Sequence, residues 1–405
     1  MLSSPTRGAS RERSAIIRLL SNTRFLRVLS SALRRFRPIA KFDGTTLVTR
    51  YADVVEALQR DDFLVAPIYG VKLDATYISS LLGRDRDDDY DREATMLRSV
   101  AKREDLVRIR QFASTRAKDA IGRVASNGQL DIANDFSRAI ALELAADYFG
   151  LRGPDAASMA RWTRDIFYDV FLNDANDPAA HAVALESARE LRDYANAEIA
   201  RRKSANELAN DLLGRMLLLQ RQADYAWLDD DAIRRSVSNL VVTSIDTTST
   251  FLTFAFDVLF RRPNELRRAQ AAATSDDLDA VGRFIWEAAR FKQPTPYLYR
   301  AVAGDTRLGG ATIRGGSRVM LLLASAMFDP AVVYKPSEFR ADRDTPYLHF
   351  GAGAHQCFGA QISRALIPEL AAALLRLPNL RRASGIAYDG PFPDRFVLAF
   401  DPPTS

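Results

Sequence analysis

The chain has 405 residues, with 56 Lys and Arg against 51 Asp and Glu, a formal charge of +5. Its 47% hydrophobic and 26% charged residues exclude a largely disordered or fibrous chain, and no run of 18 apolar residues offers a membrane-spanning helix. One cysteine, Cys357, and three histidines, His181, His349 and His355, exclude a disulfide framework, a Cys-rich zinc site and an ordinary iron–sulfur cluster.

The positive charge is local. The first 40 residues hold nine arginines against one acid, Glu12, a net +8, so the remainder nets −3. Such an arm can meet a nucleic acid or an anionic membrane surface. The expectation is plainer: residues 1–20 as a flexible basic terminus, followed by a solvated amphipathic helix. Nothing at Ile16–Leu20 reads as a secretory segment, which predicts a cytoplasmic protein. The acidic run Asp85–Asp91 predicts a wet loop or a helix start, since its adjacent carboxylates lack calcium-loop spacing.

The middle predicts helix after helix: Ala139–Phe149, ending at Gly150, then Val183–Arg202, Asn206–Gln222 and a long one over Asp229–Phe260. The long helix has an acidic first turn, Asp229 to Asp231, and stops before Pro263. Its centre, Thr243-Ser244-Ile245-Asp246-Thr247-Thr248-Ser249-Thr250, is poor helix material, because six hydroxyls compete for backbone bonds. Such a local inconsistency marks either a functional site or hydroxyls bonded back within a core. From Ala301 short strands and turns are predicted: Thr306 to Gly310, Ala311 to Gly316, and Ser317–Leu323. A helix over Gln361–Leu375 carries Pro368, which should kink it, and a final strand pair straddles Tyr388–Phe400. The expected fold class is mostly α with small β-sheets.

The densest signal surrounds the cysteine: Phe350-Gly351-Ala352-Gly353-Ala354-His355-Gln356-Cys357-Phe358-Gly359. Three glycines allow tight backbone approach. A helix starting near Gly359 would aim its first N–H groups at the sulfur and favour a thiolate. A thiolate in a glycine-rich loop is how sulfur holds haem iron.

On these residues the chain resembles the cytochrome P450 family of haem-thiolate enzymes. Phe350, Gly353, Cys357 and Gly359 match its Phe-x-x-Gly-x-x-x-Cys-x-Gly pattern. The resemblance implies a single P450 domain over residues 21–405, haem b as cofactor, and Cys357 as axial ligand of its iron. It also implies that His355 and Arg300 contact propionates, and that Phe350, Gly351 and Gly359 lie against the cofactor. Glu287-Ala-Ala-Arg290 matches the family's Glu-x-x-Arg, whose ion network Arg343 would complete. Asp246 and Thr247 hold the places of the family's acid–alcohol pair, Thr247 to bond the oxygen being activated and Asp246 to relay protons.

Two departures stand out. Thr243-Ser244 replaces the usual small pair, so Ser244 is a candidate for altering oxygen activation. In the place of the family's His-x-x-x-Arg, Leu106 replaces the histidine and Arg110 remains. A second register, Ala94 to Arg98, also loses the histidine; the first is preferred for the residues that follow it.

The implied activity is monooxygenation of a small to medium organic substrate, with electrons from NAD(P)H through a ferredoxin and its reductase. Arg108, Arg116 and Arg364 are candidates for steering an acidic donor. No nucleic-acid partner and no membrane anchor are expected. The alternatives are a haem-thiolate peroxygenase, isomerase, dehydratase or coupling enzyme, motivated by Ser244, and a haem sensor without turnover. By family analogy Ser238, Asn239, Val242, Thr243, Thr295, Tyr297, Leu298 and Phe392 line the substrate pocket. Their mix of polar and apolar groups points to a partly oxygenated molecule of secondary metabolism, such as a terpenoid, polyketide or modified peptide.

Overall fold

The structure is a computed structural model that describes residues 23–206, 209–344 and 346–402, with side chains from residue 29 onward. The basic terminus expected over residues 1–20 lies outside them. The described residues divide into two compact units, one made of those up to Ile68 with Trp286–Cys357 and one of Tyr69–Ile285 with those from Phe358 onward.

The first unit is built on a five-stranded sheet. Ile39–Phe42 and Thr45–Val48 form an antiparallel hairpin; Thr45–Val48 then runs parallel to Arg318–Leu321. Leu298–Val302 pairs antiparallel with Arg318–Leu321 and, on its other side, with the short strand Phe63–Leu64. Val48, Val319 and Leu321 are fully buried and pack with Val54 and Leu58 of the helix Tyr51–Gln59. Burying such side chains contributes roughly 1.5–3 kcal/mol each. The hairpin Thr306–Leu308/Ala311–Ile313 turns through Gly309 and Gly310, both at positive φ. Before the sheet, the helix Thr23–Phe36 is fixed by buried Arg34, whose Nη1 donates to the carbonyl and hydroxyl of Ser325 at 2.8 and 2.7 Å.

The second unit is helical around the 31-residue helix Asp230–Phe260, capped by Asp229, whose carboxylate accepts from the Ala232 N–H at 2.7 Å. Apolar residues on all its sides are buried, as expected of a central rather than a surface helix. It packs against Ala156–Phe167, Pro178–Ser204, Leu212–Leu219, Pro263–Thr274 and Ala360–Leu375. The helix Asp105–Val124 lies along Ala360–Leu375. The acidic run is a helix start: Asp87 caps Asp88–Val100 by accepting from the Tyr90 N–H at 2.7 Å.

Two expectations change. The helix expected over Asn206–Gln222 forms only at Leu212–Leu219. Asn206, at φ 51°, ends the preceding helix, and Asp211 caps the new one by accepting from the Gly214 N–H at 2.7 Å. The final strand pair separates into two sheets. Ala387–Asp389 and Phe392–Arg395 make a bulged hairpin, whereas Val397–Ala399 pairs with Gln129–Asp131 and Arg381–Arg382. The switch falls at Phe396, whose N–H donates to Asp131 Oδ1 at 3.0 Å. The helix expected over Gln361–Leu375 forms at Ala360–Leu375, with Pro368 inside it.

Candidate functional site

In the first unit the cysteine loop is held from below by a buried charge network. Glu287 and Arg290, three apart on the helix Leu278–Phe291, are both fully buried. Arg290 Nε and Nη2 donate to the two oxygens of Glu287 at 2.9 and 2.7 Å. Arg343 Nε, Tyr347 Oη and the Arg340 N–H add donors at 3.0, 2.9 and 2.9 Å. Glu287 is therefore a buried carboxylate with five donors. Burial pushes its carboxyl up, but the Arg290 bonds, with Arg340 and Arg343, outweigh it and leave it below the usual carboxylate range. Arg290 also reaches the carbonyls of Met327, Pro336 and Glu338, the last two at 2.8 and 3.1 Å. The pair thus stitches together the irregular segment that leads to the cysteine.

Tyr347 passes the order onward: its ring stacks on His349 at 5.0 Å, and His349 Nε2 meets the Trp286 carbonyl at 2.9 Å. Trp286 then meets Phe350 edge-on at 6.0 Å. In the loop itself Gly351 and Gly353 have φ of 67° and 74°. A Cβ at Gly353 would sit 2.2 Å from the Leu58 carbonyl oxygen, so only glycine fits there. The Cys357 N–H donates to the Phe350 carbonyl at 2.9 Å, which closes the loop, and the Cys357 side chain stands exposed. Arg300, on the strand Leu298–Val302, is buried, with Nη1 on the Tyr299 carbonyl at 2.7 Å. His355 is half-buried. A soft sulfur presented outward from a backbone too tight for side chains, with arginine and histidine in the same unit, fits an iron porphyrin bearing carboxylates.

In the second unit the poor centre of the long helix shows where its hydroxyls go. Thr243 Oγ1 donates to the Asn239 carbonyl at 2.8 Å, Ser244 Oγ to Val241 at 3.0 Å, and Thr247 Oγ1 to Thr243 at 2.6 Å. Thr243 and Ser244 thus spend their donors inside the helix. Asp246, one residue before Thr247 and so about 100° round the helix, is 2% exposed. Its Oδ1 accepts from Arg138 Nη2 and Nε at 2.8 and 3.1 Å and from Arg164 Nη2 at 3.2 Å. Arg164 Nη1 also bridges Asp389 and Asp394 at 3.0 and 3.2 Å, and its guanidinium lies 5.3 Å from the centre of the Phe392 ring. Asp246 Oδ2 is buried and makes no hydrogen bond among the described residues. Burial pushes this carboxyl up to about 6; Arg164 opposes the rise, and Asp394 and Asp389 add to it. The result is a carboxyl with one oxygen pinned by arginines and the other open to a proton.

The remaining sequence-predicted residues scatter in environment. Leu106 is half-buried and Arg110 exposed on the helix Asp105–Val124, where Arg110 faces the charge of Glu369. Gly359 caps the helix Ala360–Leu375. Ser238 is buried with its hydroxyl unpaired among the described residues, and Val242 is buried. Asn239, expected as a polar pocket group, instead gives its amide to the Ile78 carbonyl at 3.0 Å and pins that segment to the helix. Phe392 is buried among Phe167, Tyr168 and Arg164. Thr295 is exposed, Tyr297 packs edge-on to Tyr299 at 5.3 Å, and Leu298 packs on the sheet core. Arg108 and Arg116, expected to steer a donor, are half neutralised: they pair with Asp147 and Glu143, each at 2.8 Å.

Sequence reasoning missed Arg138, Arg164, Asp389 and Asp394. Each lies more than 80 residues from Asp246 in sequence, and no spacing rule links them. The one local signal was Asp246 itself: a carboxylate in the centre of a long, largely buried helix calls for buried cations.

Comparison with known proteins gives the family. Residues 94–377 match the family described as Cytochrome P450. The chain is 26% identical over 287 residues to a steroid C26-monooxygenase of Mycolicibacterium smegmatis, covering 68% of each protein. It is 31% identical over 228 residues to the 20-oxo-5-O-mycaminosyltylactone 23-monooxygenase of Streptomyces fradiae, covering 55% of this chain and 51% of that protein. Among solved structures, CalO2 superposes with a TM-score of 0.83 at 24% identity, covering 94% of this chain and 97% of its own.

Proposed function

Because the chain belongs to the cytochrome P450 family of haem monooxygenases, we propose that it inserts one atom of dioxygen into a C–H bond of a small to medium organic substrate. Electrons would come from NAD(P)H through a ferredoxin and its reductase, in the cytoplasm. The observation that carries the reading is the chain's one cysteine, exposed at the end of a loop where glycine is obligatory and anchored by the Glu287 network. Cys357 would hold haem b through its sulfur, and Arg300 and His355 would pair with the propionates. The cofactor, when bound, supplies the activation of dioxygen for C–H oxidation.

The chain supplies the rest. Cys357, as a thiolate, would hold the metal and would lend it electron density. Thr247 offers a hydroxyl whose present bond, to a carbonyl of its own helix, can be exchanged for one to the reacting oxygen. Asp246 can take up a proton at Oδ2 while the arginines fix Oδ1, so the carboxyl can gain and release it near pH 6 without losing its place. Leu106 donates nothing, so the helix Asp105–Val124 offers no histidine there, and the propionate charge would fall to Arg300 and His355. The steroid and macrolide named for the two relatives are medium-sized and oxygenated, which supports the same substrate class here.

Turnover of a panel of steroids and macrolactones under 18O2 tests the reading. Product should form only with NADPH, ferredoxin and reductase, and should carry one 18O atom. Equal product yield from hydrogen peroxide with no reductant would overturn it in favour of a peroxygenase.

A further inference from the structure

We propose that the face formed by the helix Thr23–Phe36 and the strand Ile39–Phe42 docks this protein reversibly on an anionic lipid bilayer. Phe36 and Phe42 are the two most exposed large apolar side chains among the described residues, at 74% and 71%. Leu29, seven residues before Phe36, shares its helix face and is 41% exposed; Ala32, between them on that face, is exposed too. Outward exposure of this stripe is not fraying. Arg34 is buried and bonded to Ser325, so the helix is held by its other side and the stripe is kept facing solvent. Phe42 adds a second exposed phenylalanine at the end of the strand, beside the Asp43–Gly44 turn, where both residues have positive φ.

The cations lie where a bilayer would need them. Arg35, Arg37 and Lys41 are exposed and form no ion pair among the described residues. Arg35 sits over the Phe36 ring at 5.6 Å. Between residues 29 and 50 the one acid is Asp43, and upstream the sequence adds Arg7, Arg11, Arg13, Arg18, Arg24 and Arg27 against Glu12. The rest of the chain nets −3, so attraction to an anionic surface would orient the molecule with this face down. Phenylalanines enter the acyl boundary without needing a matching cavity, while arginine and lysine reach back to the headgroup phosphates. Nucleic acid would use the cations but give two outward phenylalanines no role. The consequence is functional: an oxidase held at a membrane surface meets apolar substrates where they dissolve.

Co-sedimentation of the full chain with vesicles decides it. Binding should be clear on phosphatidylcholine vesicles containing phosphatidylglycerol and about tenfold weaker on pure phosphatidylcholine, because each basic residue near an anionic surface adds attraction. F36S/F42S should cut binding to the anionic vesicles about tenfold, and R35Q/R37Q/K41Q should reduce the preference for anionic lipid about tenfold while the upstream arginines keep part of it. Both variants should keep the wild-type circular dichroism, since the altered side chains are exposed. No binding at low salt, binding unchanged in F36S/F42S, or tighter binding to duplex DNA than to anionic vesicles would each overturn the proposal.

Discussion

Glu287→Ala should lower the melting temperature by roughly 10 °C and leave little protein able to take up haem. Both members of the Glu287–Arg290 pair have no exposed side-chain surface. Removing the carboxylate leaves Arg290 buried without a counter-charge and strips acceptors from Arg343, Tyr347 and the Arg340 N–H. Breaking a buried pair from one side costs about 3–5 kcal/mol, a large part of the roughly 5–15 kcal/mol that holds a domain folded. Arg290→Met should cost a similar amount. The double change Glu287→Ala with Arg290→Met should cost less than the sum, because neither orphaned charge remains. Calorimetry of the four proteins measures the coupling; additive losses would mean that the two residues act separately. The pH dependence has a defined sign. The Glu287 carboxyl lies below its ordinary value in the folded chain, so its contribution is complete above the ordinary glutamate range and is lost as pH falls through the lowered value.

Asp246→Asn should reduce coupled turnover about 10²-fold while leaving substrate binding nearly unchanged, the magnitude typical of a lost general acid. The amide keeps the shape and can still accept from Arg138 and Arg164, but it carries no transferable proton. The wild-type carboxyl titrates near 6, so coupled turnover should fall as pH rises through that value, and the limb should be missing in the variant. A variant that keeps the limb would place the proton donor elsewhere. Stability follows the same group: a raised carboxyl contributes fully below the ordinary aspartate range, and its contribution is lost as pH rises through about 6. Stopped assays across pH 5–8, with oxygen and product both counted, separate slow chemistry from wasted oxygen.

Much of this was legible because it is local. The Gly-rich run to Cys357 and the i, i+3 pair Glu287/Arg290 are short patterns whose chemistry demands those residue types, and the long helix carries its own cap and stop. The run of hydroxyls left two readings open, a functional site or back-bonding, and Thr243 and Ser244 do bond back within the helix. The strands Ile39–Phe42, Thr45–Val48 and Leu298–Val302 went unread. They are four or five residues long and form a sheet by joining segments some 250 residues apart. The partners of Asp246 escaped for the same reason: Arg138, Arg164 and the hairpin Ala387–Arg395 converge only through packing. Asn239 shows the converse, a polar residue assigned to ligand that the fold spends on the Ile78 carbonyl.

The carbon-monoxide difference spectrum of the reduced protein, taken for wild type and Cys357→Ser, bears most directly on haem ligation by this cysteine. The wild type should show the long-wavelength Soret band of a thiolate-ligated iron, and the serine variant should lose it while still folding. A colourless wild-type protein from cells supplied with iron and porphyrin precursor, or a band that stays in place without the sulfur, would contradict that ligation.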